Sequence, residues 1–182
     1  VRERVVFCGL SMGGYIGWEF WKKYPEKISK IIACNTRAAS DSLEVARGRR
    51  IAAKSIFKTG TQILAKQMAP RLLYSNPQER IKTIQLSVEQ MIESTSPDSI
   101  AAGQLAMSNR SDATAWLPMI DCPTLFVGGQ YDEITTTQEM SSNAALICNA
   151  QFVEIKTAGH LTPLEQPDSF NHQVLEFLNS NR

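Results

Sequence analysis

The feature that most constrains this chain is a serine between two glycines, in the motif Gly-Leu-Ser-Met-Gly at residues 9–13. An apolar run, Val5 to Cys8, comes directly before it and predicts a strand that is buried on both faces and ends at the first glycine. Residues 12–24 then predict a helix, which Pro25 ends. The serine is therefore expected in a tight turn from a strand into a helix.

Such a turn holds its central residue at strained backbone angles, because large flanking side chains would collide there. The hydroxyl of Ser11 would be lifted off the sheet as a nucleophile, beside the first N–H groups of the helix. One of these groups, the backbone N–H of Met12, would face a developing oxyanion. The alternative is a plain glycine-rich turn in which Ser11 only caps the helix.

The rest of the chain predicts an α/β fold with a helical insertion. A second apolar run, Ile28 to Cys34, completes a strand–helix–strand unit and therefore a parallel sheet. The middle of the chain contains no convincing strand. Its periodicity predicts a first helix from Leu43 through Phe57 and further helices over 61–73, 77–94 and 97–108, with Pro77 in the first turn of the helix over 77–94. Alternation then returns, with strands at 123–127 and 151–155, a helix at 136–147 and a last helix from Pro167. The expected division is a core at 1–36, a cap at 37–115 and a second part of the core at 116–182.

A catalytic serine needs a base held within reach, and the chain has two histidines. His160 lies in the loop that directly follows the strand 151–155, where parallel sheets place their sites, whereas His172 lies inside the last helix. The predicted base is therefore His160. Asp132 follows the strand 123–127 and is the predicted acid that orients the base, with a turn or helix-capping aspartate as the alternative.

Three segments of the chain resemble the signature blocks of the α/β-hydrolase family. They are FCGLSMGG at 7–14, PTLFVGGQYD at 123–132 and AGHLTPLEQP at 158–167, and they present serine, aspartate and histidine in the order of that family. The helical zone matches the family's cap in position, between the sixth and seventh core strands. Within the family, the first block and the Gln-Pro start of the last helix are similar to 3-oxoadipate enol-lactonases and related small esterases.

The resemblance implies a serine hydrolase in which Ser11 attacks an ester or lactone and is later released by water. It implies a parallel sheet flanked by helices, a small-molecule ester or lactone as substrate, and no metal or organic cofactor. A serine at the turn argues against the dehalogenase and epoxide-hydrolase branches, which carry an aspartate there. Ile134 and Leu161 come one or two residues after the predicted acid and base, so they are candidates for the wall of the substrate pocket.

The sequence departs from the family at its amino end. Family members begin with four further strands and two helices, and a loop after their third strand supplies a second oxyanion N–H. The resemblance therefore implies the carboxyl-terminal two-thirds of the fold, with the strand at Val5–Cys8 left as a sheet edge. On this interpretation the 182-residue chain alone is expected to be insoluble or partly unfolded and essentially inactive.

Composition excludes several other classes. Nineteen Lys and Arg against eighteen Asp and Glu leave a net charge of +1, which argues against a nucleic-acid or anionic-membrane surface. Four dispersed cysteines and two histidines do not suggest a zinc site, and buried free thiols in a reducing, cytoplasmic compartment are the simpler expectation. Two rival functions stay open: a non-catalytic receptor with this fold, and a carbon–carbon bond hydrolase or perhydrolase with the same motifs.

Overall fold

The computed structural model describes residues 4–75 and 79–180. The chain divides into two compact units, one formed by Val1–Ala38 with Asp112–Arg182 and the other by Ala39–Ser111. The first unit is an α/β structure and the second is helical. In chain order the elements are β1 (Val5–Leu10), α1 (Met12–Lys23), β2 (Ile28–Cys34), α2 (Leu43–Leu72), α3 (Glu79–Ser94), α4 (Pro97–Ser108), β3 (Thr124–Gly129), α5 (Thr137–Ala144), β4 (Ala150–Ile155), α6 (Thr162–Glu165) and α7 (Pro167–Asn179).

The α/β unit is built on four parallel strands that lie side by side in chain order, β1-β2-β3-β4. Strand β3 is buried on both faces because helices cover both sides of the sheet around it. Phe126 of β3 packs with Trp18 of α1 and Met140 of α5 on one side. Its neighbours Leu125 and Val127 face the other side, where Phe177 of α7 covers them. All four strands end at the same edge of the sheet, which collects the turns that follow them.

The first strand differs from its sequence prediction. It continues through Leu10 instead of ending at residue 9, and Val5 and Val6 are 48% and 45% exposed although burial on both faces was expected. The reason is its place in the sheet: among the described strands, β1 pairs with β2 alone and forms an edge. An apolar run has the same pattern in an edge strand and in a central one, so the pattern could not distinguish them.

The helical unit consists of α2, α3 and α4. The range α2 contains two helices joined at a kink: Gly60 has φ 76° and ψ 167°, so the two predicted helices meet where the sequence places a glycine. The helix predicted over 77–94 is observed from Glu79, and Pro77 lies outside the described residues. Near the ends of the unit, the Asp41 carboxylate accepts hydrogen bonds from Arg49 at 2.5 Å and Arg110 at 2.7 Å.

Two further expectations need correction. The helix predicted at 136–147 is the shorter α5, because the chain turns after residue 144 before it enters β4. The four cysteines are free, but Cys8 and Cys148 are exposed, so only Cys34 and Cys122 fit the expectation of buried thiols. No helix in the described ranges is long and apolar enough to cross a membrane.

Candidate active site

Ser11 lies between β1 and α1 with φ 51° and ψ −112°, and residues other than glycine rarely adopt a positive φ. The conformation is fixed from the neighbouring strand. The Ser11 N–H donates to the Cys34 carbonyl at 2.8 Å, and the Ser11 carbonyl accepts a 2.8 Å hydrogen bond from the Thr36 hydroxyl. The end of β2 therefore holds this turn in its strained form.

The glycine at position 9 is explained by the close approach of the strand to the helix that follows. A Cβ built on Gly9 would stand 2.4 Å from the carbonyl carbon and oxygen of Gly13, which is backbone that cannot move aside. The G-x-S-x-G pattern thus has a local steric basis here. Met12 is the first residue of α1, where backbone N–H groups have no carbonyl four residues earlier within the helix.

The structure brings Asp132 and His160 together. Asp132 follows β3, His160 follows β4, and Nδ1 of the histidine lies 2.8 Å from Oδ2 of the aspartate. Both side chains are buried, at 5% and 3% exposure. Adjacent parallel strands thus place the two residues on neighbouring loops of the sheet edge that also holds Ser11.

Asp132 accepts a full set of hydrogen bonds. Oδ1 receives the N–H groups of Ile134 at 2.8 Å and Thr135 at 3.0 Å, and Oδ2 receives the Thr135 hydroxyl at 2.6 Å and Asn35 Nδ2 at 2.9 Å. Burial acts to raise the pKa of Asp132, but hydrogen bonding and charge from His160, with hydrogen bonds from Thr135 and Asn35, lower the pKa to about 2. The group is therefore a carboxylate at neutral pH.

An ionised carboxylate accepts and cannot donate, so the proton between the two residues belongs to His160 Nδ1. In the neutral imidazole the other nitrogen, Nε2, then carries a lone pair. That is the tautomer a general base requires, since Nε2 is the atom that would take a proton from a nucleophile.

A buried glutamate side chain binds the loop that carries His160. Glu165 of α6 is 1% exposed, and its Oε1 accepts the N–H of Gly159 at 2.9 Å and the N–H of Leu161 at 3.1 Å. These two amides flank His160 on either side. The backbone on both sides of the histidine is therefore bound to one buried side chain.

Three residues of this edge were missed by sequence reasoning: Asn35, Thr36 and Glu165. The first two form a polar pair directly after the apolar run of β2, at the strand end where sites are expected, and that position was the available signal. Glu165 gave no such signal from the residues alone, because a glutamate in a short helix is ordinarily solvated.

The remaining predicted residues are placed as follows. The side chains of Ile134 and Leu161 are partly buried, and each residue donates its N–H into the network, to Asp132 and Glu165 respectively. His172 is 73% exposed and lies 3.9 Å from Glu176 on the surface of α7, away from the buried pair.

Among the residues that the structure describes, no group of three or more His, Cys, Asp or Glu side chains could hold a metal ion.

Comparison with known proteins identifies one family. Residues 2–167 match the family described as alpha/beta hydrolase fold. An esterase from Thermogutta terrifontis has 39% sequence identity and a TM-score of 0.90 over 97% of this chain and 65% of its own. An enol-lactonase from Burkholderia xenovorans has 28% identity and a TM-score of 0.87 over 98% and 67%. The resemblance and the fold class predicted from the sequence are confirmed by these matches.

A curated relative gives the same result from sequence. The 3-oxoadipate enol-lactonase 2 of Acinetobacter baylyi is 26% identical over 171 residues, which are 94% of this chain and 62% of the relative. The chain thus spans somewhat less than two-thirds of the length of that relative.

Proposed function

We propose that this chain, which belongs to the α/β-hydrolase family, carries a Ser11–Asp132–His160 triad that hydrolyses a carboxylic ester or lactone through an acyl-enzyme. The observation that carries the proposal is the buried hydrogen bond between Asp132 and His160, at the sheet edge that also presents Ser11 at a positive φ. A serine, a base with its acceptor nitrogen available and an acid that fixes the tautomer are the three parts that acyl transfer requires.

The first half of the reaction forms the acyl-enzyme. Nε2 of His160 takes the proton of the Ser11 hydroxyl as Oγ attacks the substrate carbonyl carbon, and a tetrahedral oxyanion results. The imidazolium is stabilised by the Asp132 carboxylate, which keeps its negative charge. The oxyanion then collapses, the bond to the alcohol oxygen breaks, and the imidazolium returns its proton to that oxygen.

The second half regenerates the serine. Water gives a proton to His160 Nε2 and attacks the acyl carbon, and the new tetrahedral intermediate expels Ser11 Oγ, which recovers the proton. The backbone N–H of Met12, at the start of α1, is the proposed donor to both oxyanions. In a lactone the alcohol stays attached to the acyl group, so a single hydroxy acid is released.

The substrate class is supported by what the similar proteins are called. An esterase and two enol-lactonases stand among them, at identities between 26% and 39%. Ile134 and Leu161 remain the proposed wall of the pocket, because each follows a triad residue by one or two positions.

An active-site probe tests the proposal directly. In the full-length protein, a fluorophosphonate should label Ser11, as located by peptide mass spectrometry, and Ser11→Ala should abolish both the labelling and the hydrolysis of p-nitrophenyl esters. Labelling of another residue, or hydrolysis that persists in Ser11→Ala, would contradict it. A panel of aryl esters, lactones and vinylogous diketones then separates an esterase or lactonase from a carbon–carbon bond hydrolase. A protein that turns over none of them and resists the probe would be a receptor.

A further inference from the structure

We propose that Asn35 is a positioning residue that holds the acid and the base of the site in register with each other. It acts through Asp132 and through the backbone before His160, so this inference rests on the proposed function. Asn35 directly follows β2. In the sheet, β2 lies between β1, which leads to Ser11, and β3, which leads to Asp132.

The side chain of Asn35 is fully buried and every hydrogen-bonding group on it is used. Its two Nδ2 protons go to Asp132 Oδ2 at 2.9 Å and to the Gly159 carbonyl at 3.2 Å. Its Oδ1 accepts the Thr162 hydroxyl at 2.8 Å. The backbone N–H of Asn35 donates to the Val127 carbonyl at 2.8 Å, which ties the residue to β3 as well.

These contacts reach both partners of the pair at once. Oδ2 of Asp132 is the oxygen that faces His160 Nδ1, so the amide of Asn35 fixes the very atom that orients the base. The Gly159 carbonyl belongs to the residue directly before His160. One side chain therefore sets the acid and the start of the base loop, and the distance between them depends on it.

The residue type fits the backbone as well as the contacts. Asn35 has φ 45°, in the left-handed region where asparagine is enriched several-fold over most other side chains. An aspartate has the same shape but no N–H to donate, and an alanine has neither donor nor acceptor. Asn35→Asp and Asn35→Ala therefore remove the contacts in two different ways.

For Asn35→Ala we expect kcat/KM for an ester to fall about 10- to 100-fold, the range for losing a hydrogen bond to a charged group, with the loss mainly in kcat. Asn35→Asp sets a second carboxyl against Asp132 Oδ2. With both carboxyls ionised, the N–H donor to Asp132 Oδ2 is replaced by a like charge that repels the acid from its place beside His160, so kcat should fall at least as far as in Asn35→Ala.

The positioning role can be followed without turnover. The chain has two histidines, so protein labelled on its histidines gives one set of NMR ring resonances for His160 and one for the exposed His172. In Asn35→Ala the Nδ1–H resonance of His160 should move, because the aspartate oxygen that it contacts is no longer held by the asparagine amide, while the resonances of His172 stay in place. A residue that only supported folding would lower the melting temperature and leave both sets of resonances unchanged.

Asn143→Ala is the matched control. Asn143 is a buried asparagine of α5 whose Nδ2 has no hydrogen-bond partner in the described structure, so its removal tests loss of a buried amide elsewhere in the unit. It should leave kcat/KM and both sets of histidine resonances unchanged. An unmoved His160 resonance in folded Asn35→Ala would overturn the proposal, as would full kcat in that variant.

Failure of this inference is distinguishable from failure of the proposed function. If Ser11→Ala keeps full activity, the triad assignment fails, but the His160 ring resonance in Asn35→Ala still reports whether Asn35 governs the Asp132–His160 pair. If Ser11 is essential and the Asn35 variants behave as wild type, only the positioning role fails. If Asn35→Ala does not fold, the isosteric Asn35→Asp decides the matter alone.

Discussion

The carbonyl oxygen of Gly159 lies so close to Gly129 that a Cβ built on Gly129 would stand 1.9 Å from it. Gly129 is the last residue of β3, and Gly159 directly precedes His160. The loop that carries the proposed base therefore rests on the end of the strand before the proposed acid, and no side chain fits between them.

Gly129→Ala should for this reason displace the His160 loop. We expect kcat/KM to fall by at least about tenfold and the free energy of unfolding to fall by about 1–3 kcal/mol, the usual cost of overpacking, measured by ester hydrolysis and urea denaturation. Gly48→Ala is the control, because a Cβ on Gly48 meets nothing within 4 Å. It should leave activity unchanged and stabilise α2 by up to about 1 kcal/mol. Equal behaviour of the two variants would show that the close contact is unimportant.

Removing each histidine in turn separates the proposed base from a surface residue. His160→Ala and Asp132→Asn should each lower kcat by about three or more orders of magnitude, because the serine loses its base or the base loses its tautomer. His172→Ala should have almost no effect, since that side chain is 73% exposed on α7. Steady-state hydrolysis of a p-nitrophenyl ester measures all three. Loss of turnover in His172→Ala with activity retained in His160→Ala would reverse the assignment.

The lowered pKa of Asp132 predicts how the free energy of unfolding depends on pH. The pKa of Asp132 is about 2 in the folded protein and 3.8 for an ordinary aspartate. Its ionisation therefore contributes about 2 kcal/mol to the free energy of unfolding above pH 4, and this contribution is lost as the pH falls to 2. The difference in unfolding free energy between wild type and Asp132→Asn should therefore narrow by about 2 kcal/mol between pH 5 and pH 2. Urea titrations at each pH measure it, and a constant difference would contradict the hydrogen-bond network described here.

Glu165 is expected to act through geometry. Glu165→Gln keeps an oxygen that can accept both loop amides, so kcat/KM should stay within about tenfold of wild type. Glu165→Leu leaves the amides of Gly159 and Leu161 without that acceptor, at a cost of about 1–3 kcal/mol for each group that stays buried. Unfolding free energies and kcat/KM of the two variants compare these effects. Equal losses in both would mean that the charge matters more than the acceptor.

Lys30 of β2 is expected to stabilise the last helix without affecting chemistry. Its Nζ donates to the carbonyls of Phe177, Leu178 and Ser180 at 2.9, 3.1 and 2.7 Å, which satisfies the carboxyl end of α7. Lys30→Met should lower the unfolding free energy by about 1–3 kcal/mol and leave kcat unchanged. Lys156→Met removes a lysine that is 71% exposed and should change stability by less than about 0.5 kcal/mol. Indistinguishable melting curves would show that the helix end needs no cap.

Much of the α/β unit could be predicted because its signals are local. Apolar runs predicted β2 and β3, and glycines indicated the ends of strands. The loops that follow β3 and β4 contain Asp132 and His160, and this position predicted that both residues lie at the same edge of the sheet. The position of β1 at the edge of the described sheet was implied by the family resemblance and not by the local apolar pattern, because pairing depends on which strands are present beside it.

The supporting residues were harder to predict for a related reason. The contacts of Asn35 join it to Asp132 and to Gly159, which are 97 and 124 residues away in the chain. Nothing in its local sequence specifies those partners, although an asparagine after an apolar run favours a left-handed turn. Residues that carry chemistry follow simple positional rules, whereas residues that hold them in place depend on the folded arrangement.

The two points at which the helical unit Ala39–Ser111 is inserted into the α/β unit are far apart in the chain but joined in space, because the Ala113 N–H donates to the Ala38 carbonyl at 2.9 Å. The α/β unit thus closes on itself with a backbone hydrogen bond at the insertion point. The entropic cost of bringing those two ends together grows only slowly with the length of the segment between them. The inserted segment can therefore change in length at small thermodynamic cost while the hydrogen-bonded ends that join it to the α/β unit stay as they are.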